Sequence, residues 1–382
     1  MPTVKLARKL DRAIRAGAPW IFRDALSASP RLADGEIVTV QTSAGQPVAT
    51  GFWDARSPIA VRVIEPGPVD DPEALINARL REALARRLAA LDLSRTNAFR
   101  WVHGEADRLP GLHLDLYGDV AVARFDGRGA RAFYEGIEAR LADTAKPLKV
   151  RGAIDREGGI LFGRVPDAMT IRENGLLFEA APGRASKGGL FLDQRENREC
   201  VERISNGRSV LNLFGYTGGF SLYAARGGAA STETVDVSRP ALAAARRNFT
   251  LNNFRLERAA FHAADAFEFL EGAARRRKSW DLVVSDPPSF APGKASLPAA
   301  HRAYFRLHRL ALSVTAPGGI LCAASCSSHF RKEDLLQSLA EAARASGRRF
   351  EVTEVRGAGC DHPVVAAFPE GDYLKSAIGR VH

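Results

Sequence analysis

The chain has 382 residues, of which 54 are Lys or Arg and 44 are Asp or Glu, so its formal net charge is +10. This length predicts two or three domains, and the positive charge favours a polyanionic partner such as a nucleic acid. The four cysteines have no paired spacing, and no apolar stretch resembles a membrane span or a secretory signal. We therefore exclude a disulfide-stapled secreted protein and a membrane protein, and expect a cytoplasmic one.

Residues 1–68 are predicted to form a first domain that contacts RNA. Cations are concentrated here, because Asp11 is the only acid before Asp24. Cations bind phosphate groups and aromatic rings stack on unpaired bases, although an aromatic side chain could equally pack into the domain core. Pro66-Gly67-Pro68 cannot continue a strand and ends the domain. The candidate RNA-binding residues are Lys5, Arg8, Lys9, Arg12 and Trp20.

Residues 72–180 are predicted to form a central α+β domain. Between Pro72 and Leu93, leucines return every three to four residues, which is typical of a helix. Strands are expected between Arg100 and Phe125, around a turn at Glu105-Ala106-Asp107, and a helix from Ala130 to Ala142.

Residues 187–382 are predicted to form an α/β domain. Strands near positions 209, 233, 259, 281, 319 and 350 alternate with helices, which predicts a parallel, doubly wound sheet. Asp372–Arg380 is expected to add a seventh strand as the antiparallel edge. The predicted fold class is therefore a seven-stranded Rossmann-like α/β domain that follows an α+β domain and a smaller N-terminal domain.

A glycine-containing turn after the first strand of this domain predicts a small-molecule site. The turn Gly215-Tyr216-Thr217-Gly218-Gly219 lacks the G-x-G-x-x-G order of dinucleotide-binding proteins, which makes an NAD enzyme improbable. Asp236 ends the next strand and could accept both ribose hydroxyls, and Asp265 ends the strand after it. A turn for a methionine moiety and acids for a ribose and an adenine indicate S-adenosylmethionine, although a strand-end Asp is as often a helix cap. The predicted cofactor contacts are Asn212, Phe214, Gly215, Tyr216, Thr217, Gly218, Asp236, Val237, Asp265 and Ala266.

The segment Asp286-Pro287-Pro288-Ser289-Phe290 follows another apolar run. Two prolines fix the backbone, and an Asp-Pro-Pro-aromatic loop resembles the catalytic loop of nucleobase methyltransferases. There, Asp286 would hold the base edge, while Phe290 would stack on the ring beside Pro287 and Pro288. A strand that simply ends in prolines is the alternative.

Cys326 ends a further apolar strand and indicates the chemistry. C5 of a pyrimidine is a poor nucleophile until a thiolate adds to C6, so a strand-end cysteine beside a cofactor cleft fits C5 methylation. The alternative is a small buried side chain, which we favour for Cys322. A zinc site built from Cys322, Cys326, Cys360 and His362 lacks the usual spacing, so we expect no metal. His329 could support the thiolate or lie at the surface.

Several motifs together resemble the ribosomal large-subunit methyltransferase I family. These are Gly189–Arg198, Asn212–Phe220, Ser285–Phe290, Ala324–His329, Arg100–Leu112 and the C-terminal Asp361-His362-Pro363 and Tyr373-Leu374-Lys375. The resemblance implies S-adenosylmethionine-dependent formation of 5-methylcytosine in 23S rRNA. It further implies an N-terminal PUA domain near residues 4–64, which is a small β-barrel that binds RNA. It also implies large-subunit rRNA as the partner and raises the possibility of a homodimer. Gln194 and Arg195 would bind either the cofactor carboxylate or the RNA backbone.

Two departures from the family pattern bear on the RNA target. Lys187-Gly188-Gly189 replaces Lys-Thr-Gly, and Arg108 stands where glycine is common. Two alternatives to C5 methylation also remain. Relatives that methylate a guanine amine use Asp-Pro-Pro-aromatic without a nucleophilic cysteine, and a noncatalytic RNA-binding or assembly factor could keep the same fold. Cys326 is therefore the discriminating residue.

Overall fold

The computed structural model describes residues 1–183, 189–291 and 293–382. Two compact units are present. The first contains Met1–Ile171 and Cys360–Gly371 with residues 181–183, and the second contains Arg172–Ala180, Gly189–Gly359 and Asp372–His382. The predicted domain start at residue 187 and the Lys187-Gly188 departure lie outside the described residues.

The first sheet of the first unit is formed by the N-terminal residues. Its five strands have the order β1-β3-β4-β5-β2, and their apolar side chains, among them Val38 and Val61, are buried. The elements are β1 (Thr3–Lys5), α1 (Asp11–Arg15), β2 (Trp20–Phe22), β3 (Ile37–Gln41), β4 (Pro47–Trp53) and β5 (Ile59–Pro66). The segment predicted as a barrel thus forms a five-stranded sheet that ends at Pro66.

The second sheet of the first unit has the order β10-β9-β8-β7-β6. The helix before it begins at Pro72, and the Asp71 side chain caps it by accepting a bond from Ala74 N at 2.9 Å. The predicted helix at 130–142 is two short helices, separated near Gly136 (φ 76°). The elements are α2 (Pro72–Ala90), β6 (Ala98–His103), β7 (Leu112–Tyr117), β8 (Val120–Phe125), α3 (Arg128–Phe133), α4 (Ile137–Thr144), β9 (Gly152–Asp155) and β10 (Gly159–Gly163).

A hairpin and a third sheet follow in the chain. The predicted division into three domains stays a prediction, because both sheets described so far lie in one unit. The following elements are β11 (Met169–Glu173), β12 (Leu176–Ala180), α5 (Arg195–Arg203), β13 (Ser209–Leu213), α6 (Gly219–Arg226), β14 (Ser231–Asp236), α7 (Arg239–Leu251), β15 (Ala259–Ala263), α8 (Ala266–Arg275), β16 (Trp280–Ser285), α9 (Leu297–Val314), β17 (Thr315–Ser325), α10 (Lys332–Ala345), β18 (Phe350–Arg356) and β19 (Lys375–Val381).

Seven strands of the described residues form this third sheet, in the order β15-β14-β13-β16-β17-β19-β18. The first five run parallel, and the strand order reverses at β13, so the carboxyl ends of β13, β14 and β16 border one crevice. The predicted strands and the α/β class are confirmed.

One detail of the prediction is wrong. β19 is antiparallel to its neighbours, as expected, but it lies between β17 and β18 rather than at the edge. Burial explains the difference, because all but one residue of β19 are buried while four of the seven residues of β18 are exposed. The chain order of the two strands does not give their order in the sheet.

Candidate active site

The turn after β13 is held in an unusual backbone conformation. Phe214 (φ 56°), Tyr216 (φ 47°) and Gly218 (φ 83°) adopt positive φ, a conformation that costs free energy in residues other than glycine. Gly215 serves close packing instead, since a Cβ there would lie 2.4 Å from Thr234 Cγ2. The backbone of the turn therefore reaches the crevice in a conformation that strains two aromatic residues, Phe214 and Tyr216.

Hydrogen bonds join this turn to its neighbours. Asn212 is buried, donates to Ser221 Oγ at 3.0 Å, and its Oδ1 has no hydrogen-bond partner within the described ranges. The Thr217 hydroxyl donates to Gly189 O at 2.7 Å, and Asn248 Nδ2 donates to Thr217 O at 3.0 Å. Thr217 thus fixes the turn against the Gly189 segment. The Asn212 amide oxygen remains available to accept a hydrogen bond.

Asp236 lies next to the turn, as the sequence predicts. Its Oδ2 accepts from Tyr216 N and its Oδ1 from Ser238 N, both at 2.8 Å. A carboxylate offers about four acceptor positions, so each oxygen can accept another bond. Val237 beside it is exposed. This half-buried acid is therefore positioned by the turn and can still accept ribose hydroxyls.

Asp265 caps a helix. Its Oδ1 accepts from Phe267 N at 2.9 Å and from Glu268 N at 3.1 Å, at the start of α8. Ala266 behind it is buried. A helix cap is one of the two interpretations that the sequence allowed for Asp265, and the contact of Asp265 and Ala266 with the cofactor stays a prediction.

The loop after β16 and the loop after β17 are adjacent. In the parallel register, Ser285 of β16 pairs with Ala323 of β17, so Asp286 and Cys326 follow neighbouring strand ends. The Cys326 thiol, which is half-buried, lies 3.9 Å from Pro287 O. The structure therefore brings the thiol and the Asp-Pro-Pro loop together.

Phe290 has a different environment from the predicted one. Its ring packs against Tyr304, with ring centroids 4.9 Å apart, and against Phe267 at 6.4 Å. Pro288 is the exposed proline of the loop, while Pro287 is buried. Stacking of Phe290 on a base stays a prediction, and the observed contacts show that this ring anchors the loop to the core.

Cys322 lies in the interior, as favoured from the sequence. It belongs to an apolar cluster with Cys200, Val210 and Ile378, and burial strongly raises the pKa of its thiol. These surroundings are those of a packing residue rather than of a zinc ligand.

A hydrogen-bond network supports the Cys326 loop. Ser327 Oγ lies 2.7 Å from Ser289 Oγ, and the Tyr304 hydroxyl lies 2.8 Å from Ser325 Oγ. Lys375 Nζ donates to Ser327 O at 2.6 Å and to Tyr373 O at 2.8 Å. The sequence pattern indicated no role for Lys375, because Ser327 lies 48 residues away in the chain.

The segment before α5 also borders the cofactor turn. The rings of Phe191 and Tyr216 lie 5.6 Å apart. Gln194 and Arg195 are both buried, and Gln194 Oε1 accepts from Asn197 Nδ2 at 2.6 Å. Asp193, which sequence analysis did not single out, accepts from the Tyr373 hydroxyl at 2.7 Å. The roles predicted for Gln194 and Arg195 stay predictions.

The candidate RNA-binding residues of the first unit have two kinds of environment. Lys5, Arg8, Lys9 and Arg12 are exposed, and Arg8 pairs with Asp24 at 2.8 Å. Trp20, by contrast, donates its indole N–H to Glu105 Oε1 at 2.7 Å and packs against Phe368 at 4.5 Å. Phe22, on the same strand, is 48% exposed. The packing alternative therefore describes Trp20, and Phe22 is the accessible aromatic residue.

A second polar cluster, also in the first unit, resembles a metal site. Ligand atoms of Glu105, His113 and Asp126 lie within 4.8 Å of one another. Arg62 donates to Glu105, and Arg100 Nη1 lies 3.2 Å from His113 Nδ1. Arginine can only donate, so we assign the proton of His113 to Nε2, where it donates to Asp126 at 3.0 Å. The atoms that could ligate a metal are therefore engaged in hydrogen bonds within the protein. We call this cluster of charged and hydrogen-bonded side chains the charge network.

The comparisons with known proteins agree with this architecture. Residues 146–358 match a family model described as S-adenosylmethionine-dependent methyltransferase, and residues 4–66 match one described as a PUA-like domain. No described helix is long and apolar enough to traverse a bilayer. The fold and the site define an S-adenosylmethionine-dependent methyltransferase with a PUA-like N-terminal domain.

Curated relatives cover nearly the whole chain. A ribosomal RNA large subunit methyltransferase of Deinococcus radiodurans is 38% identical, with 98% of this chain and 96% of the relative covered. A ribosomal RNA large subunit methyltransferase I of Shewanella amazonensis is 35% identical, with 99% of each covered. The chain belongs to the ribosomal RNA large-subunit methyltransferase I family.

Solved structures share the fold. A protein of Streptococcus mutans described as a SAM-dependent methyltransferase has a TM-score of 0.86 at 21% identity, and a methyltransferase solved with SAH has 0.88 at 22%. Each alignment covers all of both chains. The predicted family, fold and cofactor are confirmed, whereas neither the relatives nor the single chain support a homodimer.

Proposed function

We propose that this protein methylates C5 of a cytosine in large-subunit ribosomal RNA through a covalent bond between Cys326 and C6. The observation that carries the proposal is the position of Cys326, half-buried at the end of β17 and 3.9 Å from the carbonyl oxygen of Pro287. A thiol beside an Asp-Pro-Pro loop is what C5 chemistry requires and amine methylation does not. The relatives' names supply the RNA class.

The residues around the turn fit S-adenosylmethionine. Asp236 retains acceptor positions for ribose hydroxyls, and the buried Asn212 Oδ1 has no partner within the described ranges. The strained backbone at Phe214 and Tyr216 brings the turn to the crevice at the strand ends. Bound there, the cofactor supplies an electrophilic methyl group.

The protein's own part begins at the thiol. The Cys326 thiolate adds to C6, which breaks the C5–C6 double bond and makes C5 nucleophilic toward the methyl group. A base then removes the C5 proton, the C5–C6 double bond re-forms, and the thiolate leaves. Asp286 would hold the base edge and stabilise a protonated N3 in the adduct.

The target cytosine must be unstacked, because C5 and C6 are approached from the face of the ring. The exposed cations Lys5, Arg8, Lys9 and Arg12 would bind the phosphates of the flanking RNA. Ribosomal RNA as the substrate places the enzyme in the cytoplasm.

The test uses 23S rRNA transcripts that contain 5-fluorocytosine, with labelled S-adenosylmethionine. Fluorine cannot leave C5 as a proton, so the wild-type protein is expected to form a denaturation-resistant adduct with the RNA. Cys326→Ala should abolish both the adduct and methyl transfer to unmodified RNA, by roughly a thousandfold or more. Cys322→Ala, which removes the buried thiol four residues earlier, is the matched control and should retain both.

Methyl transfer without an adduct, undiminished in Cys326→Ala, would contradict C5 chemistry and favour methylation of a guanine amine. A folded protein that does not bind S-adenosylmethionine would favour a noncatalytic RNA-binding factor instead.

A further inference from the structure

Lys375 begins β19 and lies opposite the end of the strand that carries Cys326. In the antiparallel register of β17 and β19, Lys375 pairs with Ser325, the residue immediately before Cys326. The lysine side chain is buried. Its Nζ donates to Ser327 O at 2.6 Å, so it holds the residue immediately after the thiol. Lys375 therefore contacts both sides of Cys326 along the chain.

The same ammonium connects this loop to the cofactor side of the site. Lys375 Nζ also donates to Tyr373 O at 2.8 Å, and the Tyr373 hydroxyl donates to Asp193 Oδ2 at 2.7 Å. Asp193 lies two residues after Phe191, whose ring contacts Tyr216 of the glycine turn. These bonds give a continuous chain of contacts from the turn to the thiol loop, within the second unit.

The charge on Lys375 has no carboxylate within hydrogen-bond distance among the contacts described. Its two acceptors are backbone carbonyls, which are neutral. Burial lowers the pKa of Lys375 to about 8, and the negative charges of Asp372, Cys326 and Asp334 partly oppose this effect. The Cys326 thiolate and the Lys375 ammonium are thus electrostatically coupled. Coupling of this kind is reciprocal, so the ammonium must also favour the thiolate.

Other titratable groups surround this pair. Asp372 and Tyr373 lie on the lysine's own segment, and His329 and Cys326 lie on the loop after β17. Asp286 lies on the adjacent loop after β16, Asp334 on α10 and Tyr304 on α9. The Tyr304 hydroxyl is committed to Ser325 and Ser327, and burial raises its pKa. Lys375 and His329 are the two basic side chains in this set, and Lys375 is the one that bonds to the loop backbone.

We propose that Lys375 is a positioning residue for the reaction: it fixes the Cys326 loop through Ser327, and its ammonium group supports the Cys326 thiolate. The inference rests on the proposed function for its catalytic meaning. Its effect on the thiol, however, is a property of the protein without RNA and can be measured separately.

The test follows alkylation of Cys326 by iodoacetamide as a function of pH, with the modified cysteine identified by mass spectrometry. All proteins carry Cys360→Ser, because Cys360 is the other thiol that is not buried. Lys375→Met is expected to slow alkylation at pH 7 about tenfold and to move the midpoint of the rate profile to higher pH. Lys375→Arg keeps the charge and should give a smaller change.

Lys278→Met is the matched control. Lys278 lies in the same unit, just before the start of β16, at the end of that strand opposite the Asp286 loop, and it pairs with Glu233. Lys278→Met should leave the pH profile of Cys326 alkylation unchanged. A folded Lys375→Met protein with the wild-type profile would overturn the inference.

A second measurement does not depend on the folding of Lys375→Met. Because the coupling is reciprocal, Cys326→Ala should lower the titration midpoint of Lys375, followed by NMR of the full chain with ¹³C-labelled lysine. An unchanged midpoint would also overturn the inference. Failure of the inference about Lys375 is distinguishable from failure of the proposed function. If both lysine tests fail but the wild-type protein still forms the 5-fluorocytosine adduct, Cys326 remains the nucleophile and only the role of Lys375 is overturned.

Discussion

In the first unit, the buried Arg87 donates to both oxygens of Asp107, at 2.6 and 2.7 Å, whereas in the second unit the buried Lys375 donates to two backbone carbonyls. The first arrangement neutralises a charge inside the fold. The second leaves a charge whose partner is a reactive side chain at a strand end.

The charge network of the first unit also has perturbed ionisation. Burial lowers the pKa of His113 despite its bond to Asp126. For Asp126, burial would raise the pKa, but the bond from His113 and nearby positive charges outweigh it and lower the value. Perturbed groups therefore do not by themselves mark an active site. What distinguishes the second unit is that its groups lie at the carboxyl ends of parallel strands, next to the cofactor turn.

The largest expected effect is on the network of the first unit. Arg87→Met leaves the buried Asp107 with the exposed Arg86 as its remaining ion-pair partner among the described residues, and should lower the free energy of unfolding by about 3–5 kcal/mol. Chemical denaturation would measure this. Arg108→Met breaks the exposed pair with Glu82 and should cost about 1 kcal/mol or less. If the two variants lost the same free energy of unfolding, the buried and the exposed ion pair would contribute equally to stability, contrary to this expectation.

The next effect concerns the charge of Lys375 in the second unit. The pKa of Lys375 falls from 10.5 to about 8 on folding, so the folded state binds fewer protons between these values. Its burial penalty is fully present below pH 8 and is relieved as the pH rises to 10.5. We expect this term to raise the free energy of unfolding by about 3 kcal/mol over that window.

Denaturation at a series of pH values checks this term, with Lys375→Met as the reference that lacks it. The wild-type protein should gain more stability than the variant between pH 8 and 10.5. Parallel curves would mean that the ammonium is solvated in the folded protein.

A smaller effect separates the two strand-end acids. Asp236→Ala should weaken S-adenosylmethionine binding about 10- to 100-fold, because charge-assisted hydrogen bonds to the ribose and the bond to Tyr216 are lost together. Calorimetric titration measures it. Asp265→Ala removes the α8 cap and should mainly cost about 1 kcal/mol of stability. A comparable loss of affinity in Asp265→Ala would establish that acid as a cofactor ligand as well.

The smallest effect compares two aromatic residues of β2. Phe22→Ala should weaken binding to an rRNA fragment about 5- to 30-fold at fixed salt, since an exposed ring can stack on a base. Trp20→Phe should leave RNA affinity unchanged, because the indole contacts Glu105 and Phe368. Fluorescence anisotropy distinguishes the two, and the reverse order of effects would return the stacking role to Trp20.

The sequence predicted the placement of those candidate residues that depend on local pattern, while their roles stay predictions. The turn at Gly215–Gly218, Asp236 and Cys326 each follow an apolar strand, and strand ends in a parallel sheet meet at one crevice. Lys375 and Asp193 were missed because their partners, Ser327 and Tyr373, lie 48 and 180 residues away in the chain. Pairing at such separations leaves no short-range signal.

The same limit explains one point that the sequence left open and one error of detail. Trp20 and Phe22 are two residues apart on β2 and share a face of the strand, so alternation alone does not distinguish their environments. The edge position given to β19 followed chain order, whereas the sheet places it inside. Burial decides both points, and it depends on residues from elsewhere in the chain.

The internal position of β19 sets an order of assembly. Among the strands that the structure describes, β18 pairs only with β19, although β18 precedes β19 in the chain. β18 therefore has no place on the sheet until β19 has docked against β17. Before that step, the thiol loop lacks its lysine, and the mostly buried strand β17 is an edge of the sheet. An apolar edge strand can recruit other chains, so we expect aggregation to be favoured in the interval before β19 docks. Completion of the reactive site and covering of the β17 edge are a single event.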